Sequence, residues 1–421
     1  MLVVLACAGA IFYYHFYFAV RTVALSVPFD TFLAFSGRVS AEPGHSGKSE
    51  YFLFRLDPPL RGTIKIIAPP GSGFRYGDVL QVKGRVQRAA VERDLPVSVF
   101  PAITRTGSGR GSPLRQLLSD AKQRLLQIFP RYLPGEEAAF LGGITLGAKA
   151  DFSEDFIGAL AASGTTHLVA LSGYNIAIIV LVVFGSCLAL LGRRFAFWLT
   201  TAAVLLFVGM VGAEPSVVRA AVMGILVLLA RELGRPYSVP YALAWTAFGM
   251  VLLDPGSIFL PGFQLSFMSL LGIVYLSPLL LERFGVKPDG AAEFSGGFRE
   301  NSALTIAAQL AVAPIALNAF GGISITSFLA NALILPVMPM TMFFGFLLIA
   351  CGTVAPPLGF LAGLFAHILL AYEIAVIRFF AFFALPLSGS FPAMGIALYY
   401  LFLAGLIRRY RARHAQDHFT G

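Results

Sequence analysis

Charge is scarce in this 421-residue chain: Asp, Glu, Lys and Arg make up 13% of it, against 57% hydrophobic residues. An ordinary soluble globular protein, with about a quarter of its residues charged, is excluded by that ratio. Lipid is the solvent for most of the chain. Cysteine is nearly absent, and Cys7, Cys187 and Cys351 lie far apart in apolar stretches, so spacing offers neither a zinc site nor a disulfide framework. The six histidines form no HExxH or HxHxDH run, which removes metal-assisted hydrolysis by those routes. Also missing are a GxxxxGK[ST] phosphate loop and a nucleophile elbow, and Ser172, in LSGYN, has no evident Asp partner. The expectation is a non-enzyme with no metal and no cofactor, whose energy for any transport comes from elsewhere.

What is plentiful is Phe (39), Gly (43) and Pro (25), the composition of transmembrane helices that pack closely and break in places. Non-helical backbone survives at membrane depth only inside protein or beside a water-filled path. Residues 1–20 are apolar without a basic n-region and read as a first spanning helix. Further spans are expected near 168–191, 195–212, 216–231, 238–253, 259–281, 303–319, 323–349, 357–385 and 391–407. Residues 136–166 are polar and Gly-rich, which predicts short or re-entrant helices, so the membrane domain runs over 136–407. Arg193 and Arg194, Arg231 and Arg235, and Arg408, Arg409, Arg411 and Arg413 mark cytoplasmic ends. That pattern puts the basic tail 408–421 inside and, provided that 136–166 adds no odd crossing, residues 21–130 outside, extracellular or periplasmic. The net charge of +9 has three open explanations: this topology, anionic lipid, or nucleic acid.

Between Thr31 and Arg110 the pattern changes to short alternating stretches separated by turn residues. Phe52, Phe54 and Leu56 share one strand face and Tyr51, Leu53 and Arg55 the other; Leu80, Val82 and Val86 alternate with Gln81, Lys83, Arg85 and Gln87. With PPGSG and RYGD as turns, residues 30–110 suit a small five-stranded barrel of the OB type. Arg55, Lys83 and Arg85 are candidate phosphate contacts, and Tyr51, Phe74 and Tyr76 candidate stacking residues; a solvated charged face on a structural barrel is the alternative. Residues 113–130 set Leu114, Leu117, Leu118, Leu125 and Ile128 against Arg115, Lys122 and Arg124, the pattern of a surface-lying amphipathic helix. The fold class is an α-helical polytopic membrane protein with a small N-terminal all-β, OB-like domain outside the membrane.

Several polar residues fall inside the apolar segments: His167, Ser172, Asn175, Arg219, Gln264, Gln309, Asn318 and Asn331. A charge such as Arg219 costs about 2.5–3.5 kcal/mol at mid-membrane on insertion scales, so it needs a partner or a water-filled cavity. For each Asn or Gln an interhelical hydrogen bond of about 0.6–2 kcal/mol is an equal alternative, and His167 also reads as a satisfied core histidine. Glu373 and Arg378 are placed near a helix end, where they snorkel. In SGTTHLVALSGYN, Leu171 and Asn175 follow His167 at helical spacing, while Ser172 and Gly173 permit a close approach or a break. Pro215 opens EPSVVRAA as a helix start whose amides and Arg219 face one outer region that attracts an anion. Pairing of Arg219 with Glu214 is the competing reading.

Four stretches, SGTTHLVALSGYNIAII, EPSVVRAAVMG, LLDPGSIFLPGFQLSFMSLLGIVYLSPLL and APIALNAFGGISITSFLANALILPVMP, occur in this order. They resemble the competence region of the ComEC family, membrane channels of bacterial DNA uptake, and the strands before them resemble that family's OB-like domain. The resemblance covers the chain from Thr31 to about Pro339. It implies passage of single-stranded DNA through the inner membrane in natural competence, with a separate DNA receptor outside and a cytoplasmic helicase. Carried over position by position, it implies a translocation path or motif at His167, Ser172, Gly173, Arg219, Asp254, Pro255, Gln264, Ser266 and Asn331. Asn175 transfers less directly, because Tyr174 and Asn175 stand where the family often has Leu-His. The family's C-terminal metallo-β-lactamase-like domain has no match before RRYRARHAQDHFTG, so nuclease activity is not implied and a separate nuclease is expected. Two other readings stay open: a transporter of another anionic polymer or solute, and a membrane scaffold whose β domain binds a partner.

Overall fold

The computed structural model describes residues 27–420 apart from 47–48, 89–94, 110, 149–151, 170–172, 286–297, 321, 325 and 385, together with residues 13, 14 and 17. The expected first span, 1–20, lies outside the described residues but for those three. The chain divides into two units, Met1–Glu154 with Gly209–Gly212, and Asp155–Val208 with Ala213–Gly421.

The first unit begins with seven strands: Phe32–Val39 (β1), Gly44–Ser46 (β2), Ser49–Leu56 (β3), Thr63–Ala68 (β4), Val79–Arg85 (β5), Val97–Val99 (β6) and Ala102–Gly107 (β7). β1 pairs antiparallel with β3 and β5, β3 pairs with β4, and β4 runs parallel to β6. A bridge from Gln87, just past β5, to Val97 in β6 returns the path to β5. The ring β1-β3-β4-β6-β5 is that of an OB barrel; β7 extends it along β5 and β2 adds to β3. Alternating side chains fill it: Phe35, Val39, Phe52, Phe54, Ile64, Ile66, Leu80, Val82 and Val86 form one buried core. Burying a Phe is worth about 1.5–3 kcal/mol, so a one-residue slip of β3, which would turn Arg55 inward in place of Phe54, is strongly disfavoured.

Past the barrel lies Pro113–Leu126 (α1), started by a proline that needs no hydrogen-bonding partner at the first turn. Of the apolar stripe, Leu114 is 57% and Leu117 65% exposed while Ile128 is buried. Lys122, on the charged side, is not solvated. It is buried, its Nζ donating to Glu42 Oε2 at 2.7 Å while Ser119 Oγ donates to Oε1 at 2.8 Å. A carboxylate from the β1–β2 loop thus offsets the desolvation of the ammonium. Residues 136–166 form two short helices, Gly135–Leu146 (α2) and Glu154–Ala162 (α3), as expected.

In the second unit Gly173–Ile179 (α4) runs through a π turn, Val180–Phe184, into Gly185–Leu191 (α5). Arg193–Val211 (α6), Pro215–Glu232 (α7), Val239–Leu253 (α8), Pro261–Arg283 (α9) and Phe298–Phe320 (α10) follow. Then come a short strand, Gly322–Ser324 (β8), Ser327–Ile334 (α11), Met338–Val354 (α12), Pro356–Phe382 (α13), Pro386–Ser388 (β9) and Ala393–Thr420 (α14). Four described helices, α6, α9, α10 and α13, are each long and apolar enough to cross a membrane. The stretch 323–349, expected as one span, is instead broken: α11 and α12 meet at 50°. Pro336, in the break, has no N–H to give the carbonyl of Ala332, and the helix bends there.

Elsewhere a proline is accommodated. Pro314 sits inside α10 and leaves the Leu310 carbonyl without its usual partner; Tyr399 Oη of α14 donates to that oxygen at 2.8 Å, and Tyr400 Oη to the Ala311 carbonyl at 2.9 Å. α9 crosses α10 closely at Gly272, where a Cβ would stand 2.5 Å from the Ala307 carbonyl oxygen. β8 pairs antiparallel with β9 over three residue pairs. Asn318 extends that pairing, its Nδ2 donating to the Phe391 carbonyl at 3.0 Å and its Oδ1 accepting from the Phe391 N–H at 2.7 Å.

Candidate functional site

α4, α7 and α9 pack together, and they bring three of the carried-over positions into one place. Arg219, one turn into α7, donates from Nε to Ser266 Oγ of α9 at 2.7 Å. Its Nη1 lies 3.8 Å from Met223 Sδ and its guanidinium 6.0 Å from the centre of the Phe267 ring. Gly173 of α4 leaves room on the third side: a Cβ there would lie 3.5 Å from Ala220 Cβ and 3.9 Å from Arg219 Nη2. Among the described residues no carboxylate pairs with Arg219, so the pairing with Glu214 is not found. Met223 stands one turn further along α7, so the side chain runs into the bundle rather than back toward the helix's N-terminal amides, as had been expected.

Asn175, two residues beyond Gly173, is fully buried, and neither its Oδ1 nor its Nδ2 has a hydrogen-bonding partner among the described residues. Each orphaned buried group costs about 1–3 kcal/mol, so this amide is an open donor and acceptor on the helix that approaches Arg219. The π turn that follows is a local irregularity of the kind that collects at functional sites. Tyr237, in the loop after α7, belongs to the same surroundings: burial pushes its phenol up, and the Arg219 charge pulls the other way.

Asp254 and Gln264 serve this geometry from a distance. Asp254 Oδ1 accepts from the Gly256 N–H at 3.0 Å and caps the 3-10 turn Pro255–Phe259, in which Pro255 is buried. Gln264 Nε2 donates to the Ile258 carbonyl at 3.0 Å. Together they shape the turn that delivers Ser266 to Arg219. Asn331 is buried on α11 with its Oδ1 unpaired among the described residues, and no contact joins it to Arg219. His167 is exposed in the turn Thr166–Leu168, and Ser172 lies outside the described residues.

Sequence reasoning misplaced Glu373. It is fully enclosed on α13, with Thr341 Oγ1 of α12 donating to Oε1 at 2.7 Å and Oε2 unpaired among the described residues. It does not snorkel, because it faces the neighbouring helix rather than a helix end. Arg378 is exposed, as placed.

On the barrel, Arg38 stands directly opposite Arg55 and Val79, Lys83 opposite Ala34 and Ala102, Arg85 opposite Phe32, and Leu53 opposite Lys65. Opposed residues share a face. Arg38, Arg55, Lys65, Lys83, Arg85 and Tyr51 therefore point outward together, and no Asp or Glu occupies an outward strand position. Lys65 Nζ lies 4.5 Å over the Tyr51 ring. Phe74 is not on this face: it packs edge-on against Phe52, with ring centres 5.4 Å apart. Nor is Tyr76, whose Oη accepts from the Ser112 N–H at 3.3 Å. Both fall in a turn, where strand parity says nothing about direction. Arg38 and Lys65 were missed, although the alternation carried them.

A family model described as "Competence protein" matches residues 144–413. ComE operon protein 3 of Bacillus subtilis (strain 168) is 24% identical over 216 residues, which cover 51% of this chain and 26% of that protein. The chain thus spans about a quarter of the length of that curated relative. No solved structure matches it. The family match takes in Gly173, Arg219 and Ser266 together with every helix that surrounds them, and on its extent this multi-pass cell-membrane protein belongs to the ComEC family of competence proteins.

Proposed function

We propose that the protein is a channel that carries single-stranded DNA into the bacterial cytoplasm in natural competence, with Arg219 on the path of the strand. The observation that carries this reading is the guanidinium of Arg219, which among the described residues is held in apolar helices by neutral partners alone, Ser266, Met223 and Phe267. A cation without a carboxylate in such surroundings attracts an anion. A translocation path should attract phosphate yet hold it loosely, since one strong site would trap the strand. The open amide of Asn175 adds a second weak contact. The barrel's outward cations supply the salt-dependent capture that a single-strand binder needs. A separate receptor outside and a cytoplasmic helicase complete this reading, as the family implies.

Charge matters more than fork geometry for a moving backbone, so Arg219→Lys is expected to keep more uptake than Arg219→Ala. The measurement is DNA uptake per molecule of inserted protein in a strain lacking the native gene. Normal uptake by Arg219→Ala at normal protein amount removes Arg219 from the path. A fall in protein amount with normal uptake per molecule assigns it to helix packing instead.

A further inference from the structure

Two phenylalanines stand in the open at one end of the barrel's basic face. Phe32 is 68% exposed and lies directly opposite Arg85; Phe100 is 57% exposed and comes two residues before Ala102, the partner of Lys83. Neither ring contacts another ring among the described residues. The core is already filled by Phe35, Phe52 and Phe54, so folding does not call for them. Phe100 is moreover held in the left-handed region, at φ +44°, where bulky L-residues are rare and a functional reason is worth seeking. Its N–H donates to the Ile67 carbonyl at 2.8 Å, and the following Pro101 packs into the space left by Gly84, where a Cβ would come within 2.6 Å of it. The backbone on both sides is thus tied down with the ring turned outward.

We propose that Phe32 and Phe100 are a stacking platform for unpaired bases, with Lys83 and Arg85 taking the flanking phosphates. The proposal rests on the single-stranded DNA reading and adds to it the residues that meet the bases. Cations that follow a backbone and rings that stack bases are the two parts of sequence-tolerant single-strand binding, and this end of the face holds both with no carboxylate at an outward strand position. A lipid surface is the other partner that basic and aromatic groups suit, but among the described residues the groups suited to an interface lie at the other end of the barrel. The contacts from the barrel to the helix α1 leave from the opposite end: Glu42, in the loop after β1, meets Ser119 and Lys122, and Tyr76, ahead of β5, meets Ser112. The exposed leucines of α1, the groups suited to an interface, belong to that end.

The test uses the full chain in nanodiscs of zwitterionic lipid, with labelled oligothymidine and an abasic oligonucleotide of equal length. The wild type is expected to bind oligothymidine more tightly than the abasic strand. Phe32→Ala and Phe100→Ala are each expected to lose roughly tenfold for oligothymidine and little for the abasic strand, with Phe100→Trp restoring the difference. Equal binding of the two strands by the wild type, or unchanged discrimination in both Ala variants, overturns the proposal. Phe100→Trp fluorescence quenched by brominated lipid rather than by oligothymidine assigns the rings to the membrane and overturns it too. If Lys83→Glu with Arg85→Glu abolishes binding while the Phe variants bind as wild type, this platform fails and the broader reading stands. Absence of binding by every protein, wild type included, removes both.

Discussion

Glu373 and Arg378 are five residues apart on one helix and look alike to a hydropathy scale, yet one is enclosed and the other exposed. What separates them is which side of α13 is covered by α12, and that is tertiary information. Thr341 is the donor that makes the enclosed carboxyl tolerable. Thr341→Val keeps the shape and removes the donor, so it is expected to destabilise the protein by about 1–3 kcal/mol. The check is the thermal midpoint of the purified chain, and an unchanged midpoint would show that water or another group supplies the bond. Lys83 and Arg85 were legible for the opposite reason: strand parity is local, and the register agrees with it. Lys83→Glu with Arg85→Glu is expected to weaken single-strand binding by the full chain and to lower the log-log salt slope by roughly 0.7 for each phosphate that is no longer neutralised. Unchanged affinity and slope would move the binding site elsewhere.

At the scale of elements, the lengths of the apolar stretches carried most of the fold. Eight of the nine expected spans after the barrel coincide with one helical stretch each. The ninth is broken because hydropathy averages over Pro336 as though it were any apolar residue, while the backbone registers its missing N–H. Pro314, inside α10, teaches the complement. Nothing near Pro314 in sequence announces that the Leu310 carbonyl will be met by Tyr399, 89 residues away. Tyr399→Phe removes that oxygen's partner on the apolar surface of the helices, at an expected cost of about 1–2 kcal/mol. Tyr400→Phe gives the matched comparison at Ala311. Thermal midpoints of the two variants test the point, and equality with wild type in both would mean that the carbonyls are satisfied without the tyrosines. The Arg219 site lay between these extremes. Its residues were readable singly, but their meeting depends on the turn that Asp254 and Gln264 shape, which no spacing rule contains.

For the whole molecule, we propose that the Arg-rich ends at 193–194, 231–235 and 408–413 lie in the cytoplasm and the barrel outside. A cysteine at position 70 in a chain otherwise without cysteine tests this. Pro70 is exposed in the β4–β5 turn, whereas Gly71 beside it has φ +75° and would be strained by any side chain. An impermeant thiol reagent is expected to label it in intact spheroplasts, and labelling only after lysis would invert the topology. One further consequence lies in the pairing of β8 with β9. Three residue pairs, continued by the Asn318 to Phe391 bonds, join the chain just before α11 to the chain just after α13. If a polymer is drawn past these helices under tension, the drag on any one of them is carried as shear along that short seam instead of as a twist in each connecting loop. The seam thereby closes the three helices into one loop of chain, so that load on one is shared with the other two.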